Sequence, residues 1–187
     1  MTEARRAATM RTANLLGALA LELTGRVERL SKRHPNETSS SIAALNVIGF
    51  YEGCSNNALS QALALSHTAT VRLVDKLEAS GLVESETGVD RRSVALRLAQ
   101  SGRERVRMLV SERCRHLCGM LDILSDDDRQ HLSRISEILL KSLVVAANDA
   151  DHICRLCDET SCPPDRCPVH NRAVERETAD QDCFRST

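Results

Sequence analysis

The sequence predicts a mainly helical fold that carries one small two-stranded hairpin. Apolar residues recur at three- and four-residue spacing along most of the chain, and the period switches to two around Val94–Leu98. Aromatic residues make up only 2% of the 187 positions, with no Trp and one Tyr. A core built from Leu, Val, Ile and Ala suits packed helices better than a large sheet.

The elements follow in order. Leu16, Leu19, Leu23, Val27 and Leu30 form one stripe, which predicts an amphipathic helix over 5–32, closed by His34-Pro35-Asn36. Ser39-Ser40-Ser41 offers caps for a second helix with Ile42, Leu45 and Ile48 inward, stopping near Gly53. A short third helix spans Ala58 to Ala64. Ser66 caps a fourth, with Val71, Val74 and Leu77 on its buried side and Gly81 as its terminator. Leu82 to Glu86 and Val94 to Leu98 pair as strands across a tip at 87–92. Helical period returns from Gly102 through Val106, Leu109, Val110, Leu117 and Leu121. Ser125 before Asp126-Asp127-Asp128 is a strong helix start, and Leu132, Ile135, Leu139 and Leu143 carry that helix toward Ala147. Past Asn148 a cysteine-rich tail begins.

Charge excludes some functions and leaves others to motifs. The formal net charge is −1, so no global basic field announces a phosphate-rich partner. Residues 1–34 carry seven Lys/Arg against three Asp/Glu, while 151–187 carry five against eight. With so few aromatics, a stacking reader of single-stranded nucleic acid is not expected. No stretch approaches the roughly 20 apolar residues of a membrane span, and the N-terminal run, broken by Glu22 and Arg26, reads as a helix and not a signal peptide. A cytoplasmic protein without a membrane partner is expected. In that reducing setting eight cysteines point to metal or redox chemistry before disulfides.

A short helix, a tight turn, a longer helix and a hairpin with a basic tip make a winged helix-turn-helix. The second helix of such a pair needs small and polar residues near its start to let the backbone approach the major groove. Ser66, His67, Thr68, Ala69 and Thr70 supply them, with Arg72 one turn on. The tip needs cations, and Arg91 and Arg92 fit, with Asp90 able to brace one of them. Ser and Thr at a helix start also serve as mere caps, and an Arg pair in a turn is often only solvated. Their order and spacing together favour double-stranded DNA as the partner.

The run Ser66 to Val83, SHTATVRLVDKLEASGLV, resembles the recognition helix of MarR-type regulators, and Asp90-Arg91-Arg92 with Leu96-Arg97-Leu98 resembles their wing. The resemblance covers roughly 5–147. It implies a homodimer interlocked through the first helix and the last two long ones, and a palindromic operator. It also implies that Thr68, Ala69 and Arg72 face bases and that Arg91 or Arg92 reaches a minor groove. Where the family usually has Thr-Pro-Glu-Gly before the helix that follows the wing, this chain has Ala99-Gln100-Ser101-Gly102. Many members bind small aromatic ligands, but no residue here places such an effector pocket.

The resemblance does not extend to the tail. Cys154, Cys157, Cys162 and Cys167 have the spacing C-x2-C-x4-C-x4-C, which lets four thiols converge on one centre. A structural zinc site takes four thiolates. An iron–sulfur cluster does too, and Cys-Pro, present at Cys162-Pro163 and Cys167-Pro168, occurs in some ferredoxin runs. A bare thiol–disulfide switch is the third possibility. Zinc knuckles commonly place Gly after the second cysteine, where Asp158 stands, so an iron–sulfur cluster of the 4Fe-4S type is favoured, with zinc next. His152 and His170 flank the set as substitute ligands. Cys114 and Cys118 read as near-core helix residues, and Cys54 and Cys183 have no evident partner.

The resulting expectation has four segments: a dimerisation helix (1–36), a winged helix-turn-helix (37–100), C-terminal dimerisation helices (101–150) and the tail (151–187). The expected function is transcriptional repression, with DNA affinity modulated by the cysteine centre as a redox or metal sensor. Two alternatives are the same regulator with a structural zinc and a small-molecule effector, and a cysteine-based redox enzyme. No Gly-rich nucleotide loop, acid pair or Cys-His arrangement accompanies the cysteines, which argues against an enzyme.

Overall fold

A computed structural model describes residues 2–31, 38–87 and 94–185. The chain divides into two units, Met1–Ser39 and Ser40–Thr187. The first holds helix α1 (Glu3–Ser31), 29 residues long. Glu22 accepts from Arg26 Nε at 2.8 Å and from Arg29 Nη2 at 3.0 Å, staples along one face of the helix. Leu16 and Leu19 stay about half exposed, and Leu21 is 79% exposed.

The second unit is built around α2 (Ser39–Phe50), whose residues Ser41 to Ile48 are all buried. A helix apolar on every side must lie inside the domain. Around it pack α3 (Asn56–Leu63), α4 (His67–Ala79) and α5 (Gln100–Leu121), with Leu45, Ile48, Leu59, Val74, Leu77 and Leu96 in one core. Ser55 accepts from the Ala58 N–H and Ser66 from the Ala69 N–H, each at 3.2 Å, so both helices of the pair start on side-chain caps.

Strands β1 (Val83–Thr87) and β2 (Val94–Leu98) pair antiparallel, with Val83 opposite Leu98 and Thr87 opposite Val94. Leu96 and Leu98 are buried while Val94, at the outer end, is 39% exposed. Cys54 adds a bridge to Leu96, a rung that the sequence pattern does not show. Gly81 ends the turn after α4 at φ +67, a conformation glycine adopts freely. The junction after β2 lacks a side-chain cap, as its departure from the family pattern implies. Its glycine is required: a Cβ on Gly102 would run into the Leu82 carbonyl oxygen. The mainly helical winged helix-turn-helix read from the sequence is the observed fold.

Helix α6 (Asp126–Leu143) starts on Ser125, which accepts from the Asp128 N–H at 3.2 Å. None of its residues is buried, and Ile135, Ile138 and Leu143 are 46%, 56% and 61% exposed. The tail is not an irregular appendage. It forms α7 (Asp149–Cys154), a 3-10 turn (Pro164–Arg166) and α8 (Pro168–Arg185). Val144, Cys167, Val169 and Ala173 make a second small core, with Cys154 and Cys162 packed against it. Val169 and Ala173, four apart, are the apolar pair that dictates α8, and two positions are too few to register as a helical period. No helix among the described residues is long and apolar enough to cross a membrane.

Candidate nucleic-acid interface and cysteine cluster

Helical rotation of about 100° per residue sorts the start of α4 into two faces. Thr70, Val74 and Leu77 point inward and are 0%, 3% and 3% exposed. His67, Thr68, Ala69 and Arg72 are exposed. Thr70 therefore departs from the expected reading set: its hydroxyl donates to the Ser66 carbonyl at 3.1 Å inside the core, where it meets no partner from solvent. Ser66 is exposed, but its hydroxyl is committed to the cap. The free surface of the expected set is Thr68, Ala69 and Arg72. Arg91 and Arg92 lie outside the described residues. On the wing's inner end Arg97 donates to Glu86 at 3.1 Å, so this cation is held by the strands.

Cys154, Cys157, Cys162 and Cys167 all line one cavity of about 60 Å³, together with Tyr51, Asp151 and His170. The thiols influence one another in a chain, Cys157 with Cys154, Cys154 with Cys167, and Cys167 with Cys162. The hydrogen bond from Cys154 pulls the Cys157 thiol down to about 7, with Arg113 adding to the effect against the cost of burial. The same bond, with burial, pushes Cys154 far above the thiol range. Burial and then Cys167 push Cys162 up to about 11. Cys167 sits just before α8, and its Sγ accepts the His170 N–H at 3.4 Å, which places this sulfur at the positive end of a helix. Asp158 braces the intervening loop, accepting from the Thr160 N–H at 3.0 Å and from the Thr160 and Ser161 hydroxyls. Cys54 and Cys114 are raised by burial and stand outside this chain of thiols.

By donor type the set suits a thiolate-ligated centre. As they stand, no three His, Cys, Asp or Glu side chains among the described residues are arranged to hold a metal ion. Ligation would require the protonated sulfurs among these cysteines to lose their protons. A nearby cation favours thiolates at this cluster. Arg113 donates through Nη1 to the Leu156 carbonyl at 2.9 Å, lies near Cys157, and has a buried Nε with no partner. Four thiolates would carry more negative charge than one divalent ion cancels, and the half-buried Arg113 guanidinium would offset part of the excess.

Three residues at the cluster escaped sequence reasoning. Asn46 of α2 is 4% exposed and donates to the Arg155 carbonyl at 3.1 Å and the Cys157 carbonyl at 3.0 Å. Tyr51 donates to Asp151 at 2.9 Å, and Arg113 holds Leu156. Asn46 carried a usable signal, a lone amide inside the apolar run Ile42 to Ile48. Buried amides are nearly always bonded, so a partner was implied without being identifiable.

Residues 38–93, which take in α2 to β1 and end just before β2, match the MarR family. This segment is similar to MarR-family domains. The fold around that domain is shared with a MarR family protein from Bacillus stearothermophilus at TM-score 0.66 and 24% identity, over 77% of this chain and 99% of that one. It is also shared with MepR, a transcription regulator of the Staphylococcus aureus multidrug efflux pump MepA, at TM-score 0.61 and 18% identity, over 70% and 97%. Streptococcus pneumoniae FabT, solved in complex with DNA, matches at TM-score 0.57 and 19% identity, over 75% and 97%. No curated protein matches the sequence. Each of these structures is almost wholly covered, while about a quarter of this chain extends beyond them.

Proposed function

We propose that the chain is a dimeric, MarR-type transcriptional repressor that reads a palindromic operator and whose DNA affinity answers to its cysteine centre. The observation that carries the DNA reading is the two-faced α4, with Thr68, Ala69 and Arg72 free on a helix whose other side is fixed in the core. The structural likeness to FabT, solved with DNA, supports it. The matched family consists of regulators, which counts against an enzyme. Dimerisation is supported by α6, which presents a stripe of Leu132, Ile135, Ile138, Leu139 and Leu143 and buries none of them in the single chain. Two such lobes read half-sites about 34–36 Å apart, so a small change in either alters simultaneous docking.

Cys154, Cys157, Cys162 and Cys167 would hold the centre, preferably a 4Fe-4S cluster, with zinc as the second candidate. The cluster would supply an oxidation-sensitive group, and zinc a structural cross-link. The shared cavity supports four sulfurs facing one centre, and Arg113 beside Cys157 favours the thiolates that would ligate it. The test uses protein purified without oxygen, in which iron, acid-labile sulfide and zinc are measured. Binding to a duplex selected from a random-sequence pool is then followed before and after the centre is stripped, with light scattering for the dimer. A centre on the four cysteines and an altered affinity on stripping are expected. Full DNA response with four reduced, unliganded thiols would overturn both metal readings, and a monomer at micromolar concentration would overturn the dimer.

A further inference from the structure

We propose that the loop Arg155–Cys157 is a latch through which occupancy of the cysteine centre sets the rigidity of the DNA-reading core. This rests on the sensing role proposed above and gives it a physical route.

The latch makes three hydrogen bonds to α2 and α5 and one apolar contact with the core. Asn46 donates to the carbonyls of Arg155 and Cys157, and Arg113 of α5 donates to the carbonyl of Leu156. All three consecutive carbonyls of the loop are thus bound by side chains from α2 and α5, and the Leu156 side chain packs against the core to which α4 contributes Val74 and Leu77. Two of the four cysteines, Cys154 and Cys157, bracket the latch. An occupant that fixes both sulfurs fixes the two residues between them, which removes most of the ordering cost from docking.

Binding and docking are then linked, and linkage is reciprocal. If an occupied centre favours the docked loop by some factor, the docking contacts raise affinity for the occupant by the same factor. The winged helix is held through its inner face, so the exposed residues of α4 need not touch the centre to respond to it.

Zinc alone serves as the probe, with the full chain, a competing chelator and hydrogen exchange read by mass spectrometry. In the wild type, zinc is expected to slow exchange within 39–50 and 67–79 by about tenfold, the worth of one or two hydrogen bonds. In the double variant Asn46→Ala with Arg113→Met, zinc should still bind at one per chain, about tenfold more weakly, and slow exchange only within 149–178. Equal slowing in α2 and α4 of both proteins would overturn the latch, as would bound zinc without any slowing in the wild type. If circular dichroism shows the double variant unfolded, Arg113→Met alone carries the comparison, with Arg113→Lys expected to restore part of the zinc affinity. If neither zinc nor ferrous iron with sulfide occupies the chain, the sensing role fails first and the latch falls with it.

Discussion

Replacing Asn46 with alanine removes two hydrogen bonds at 3.0–3.1 Å from a residue that is 4% exposed. The alanine fits α2 without strain, so the cost falls on the carbonyls of Arg155 and Cys157. A buried acceptor left unpaired costs about 1–3 kcal/mol. The tail at Arg155 and Cys157 is only half-buried, which lets water recover part of that penalty and brings the sum to roughly 2 kcal/mol. For a chain of this size that lowers Tm by about 4–8 °C. Urea unfolding of metal-free wild type and variant, followed by circular dichroism, measures it directly. Exchange at 155–162 should accelerate more than exchange in α4, because the loop loses its anchor while the core keeps its apolar contacts. A stability change within about 0.5 kcal/mol, the usual effect of a surface substitution, would refute the assignment of Asn46 as the anchor.

The other predictions follow from the same geometry. Arg72→Ala should weaken specific DNA binding by about 1–3 kcal/mol with the fold intact, whereas Thr70→Ala should cost about 1–2 kcal/mol of stability and leave the affinity of the folded protein unchanged; calorimetry and DNA titration on both variants separate the two, and the reverse pattern would exchange the faces of α4. Single Cys→Ser changes at Cys154, Cys157, Cys162 or Cys167 should each strip the centre, while Cys54→Ser should not, with iron, sulfide and zinc content as the readout. The Asp149 carboxylate accepts from the N–H groups of Val145 and Ala146 at 2.8 Å, and these bonds hold it below its ordinary 3.8. Its contribution to the α6–α7 joint is present above that value and lost as pH falls through the lower folded one. Exchange near residue 146 should accelerate on acidification below pH 4 in the wild type, and Asp149→Ala should abolish the acid step.

Much of the winged helix was legible because its signals are local. Ser66 and Ser125 occupy cap positions whose hydroxyls need only the next turn of chain, and Leu96 and Leu98 alternate with exposed or half-exposed residues over a single strand. The sequence by itself determined the order of the first six helices, the hairpin strands, the polar start of α4 and the four-cysteine spacing, since each depends on residues a few positions apart. Tertiary structure decided the rest. It turned Thr70 into the core by helical phase, and demanded glycine at 102 because the Leu82 carbonyl approaches there. It also folded the tail back onto α2 and α5. Asn46 and Cys157 are 111 positions apart, and no local pattern encodes a partner at that distance. The burial of an amide that must find an acceptor drives that contact, and only the packed chain says where the acceptor lies.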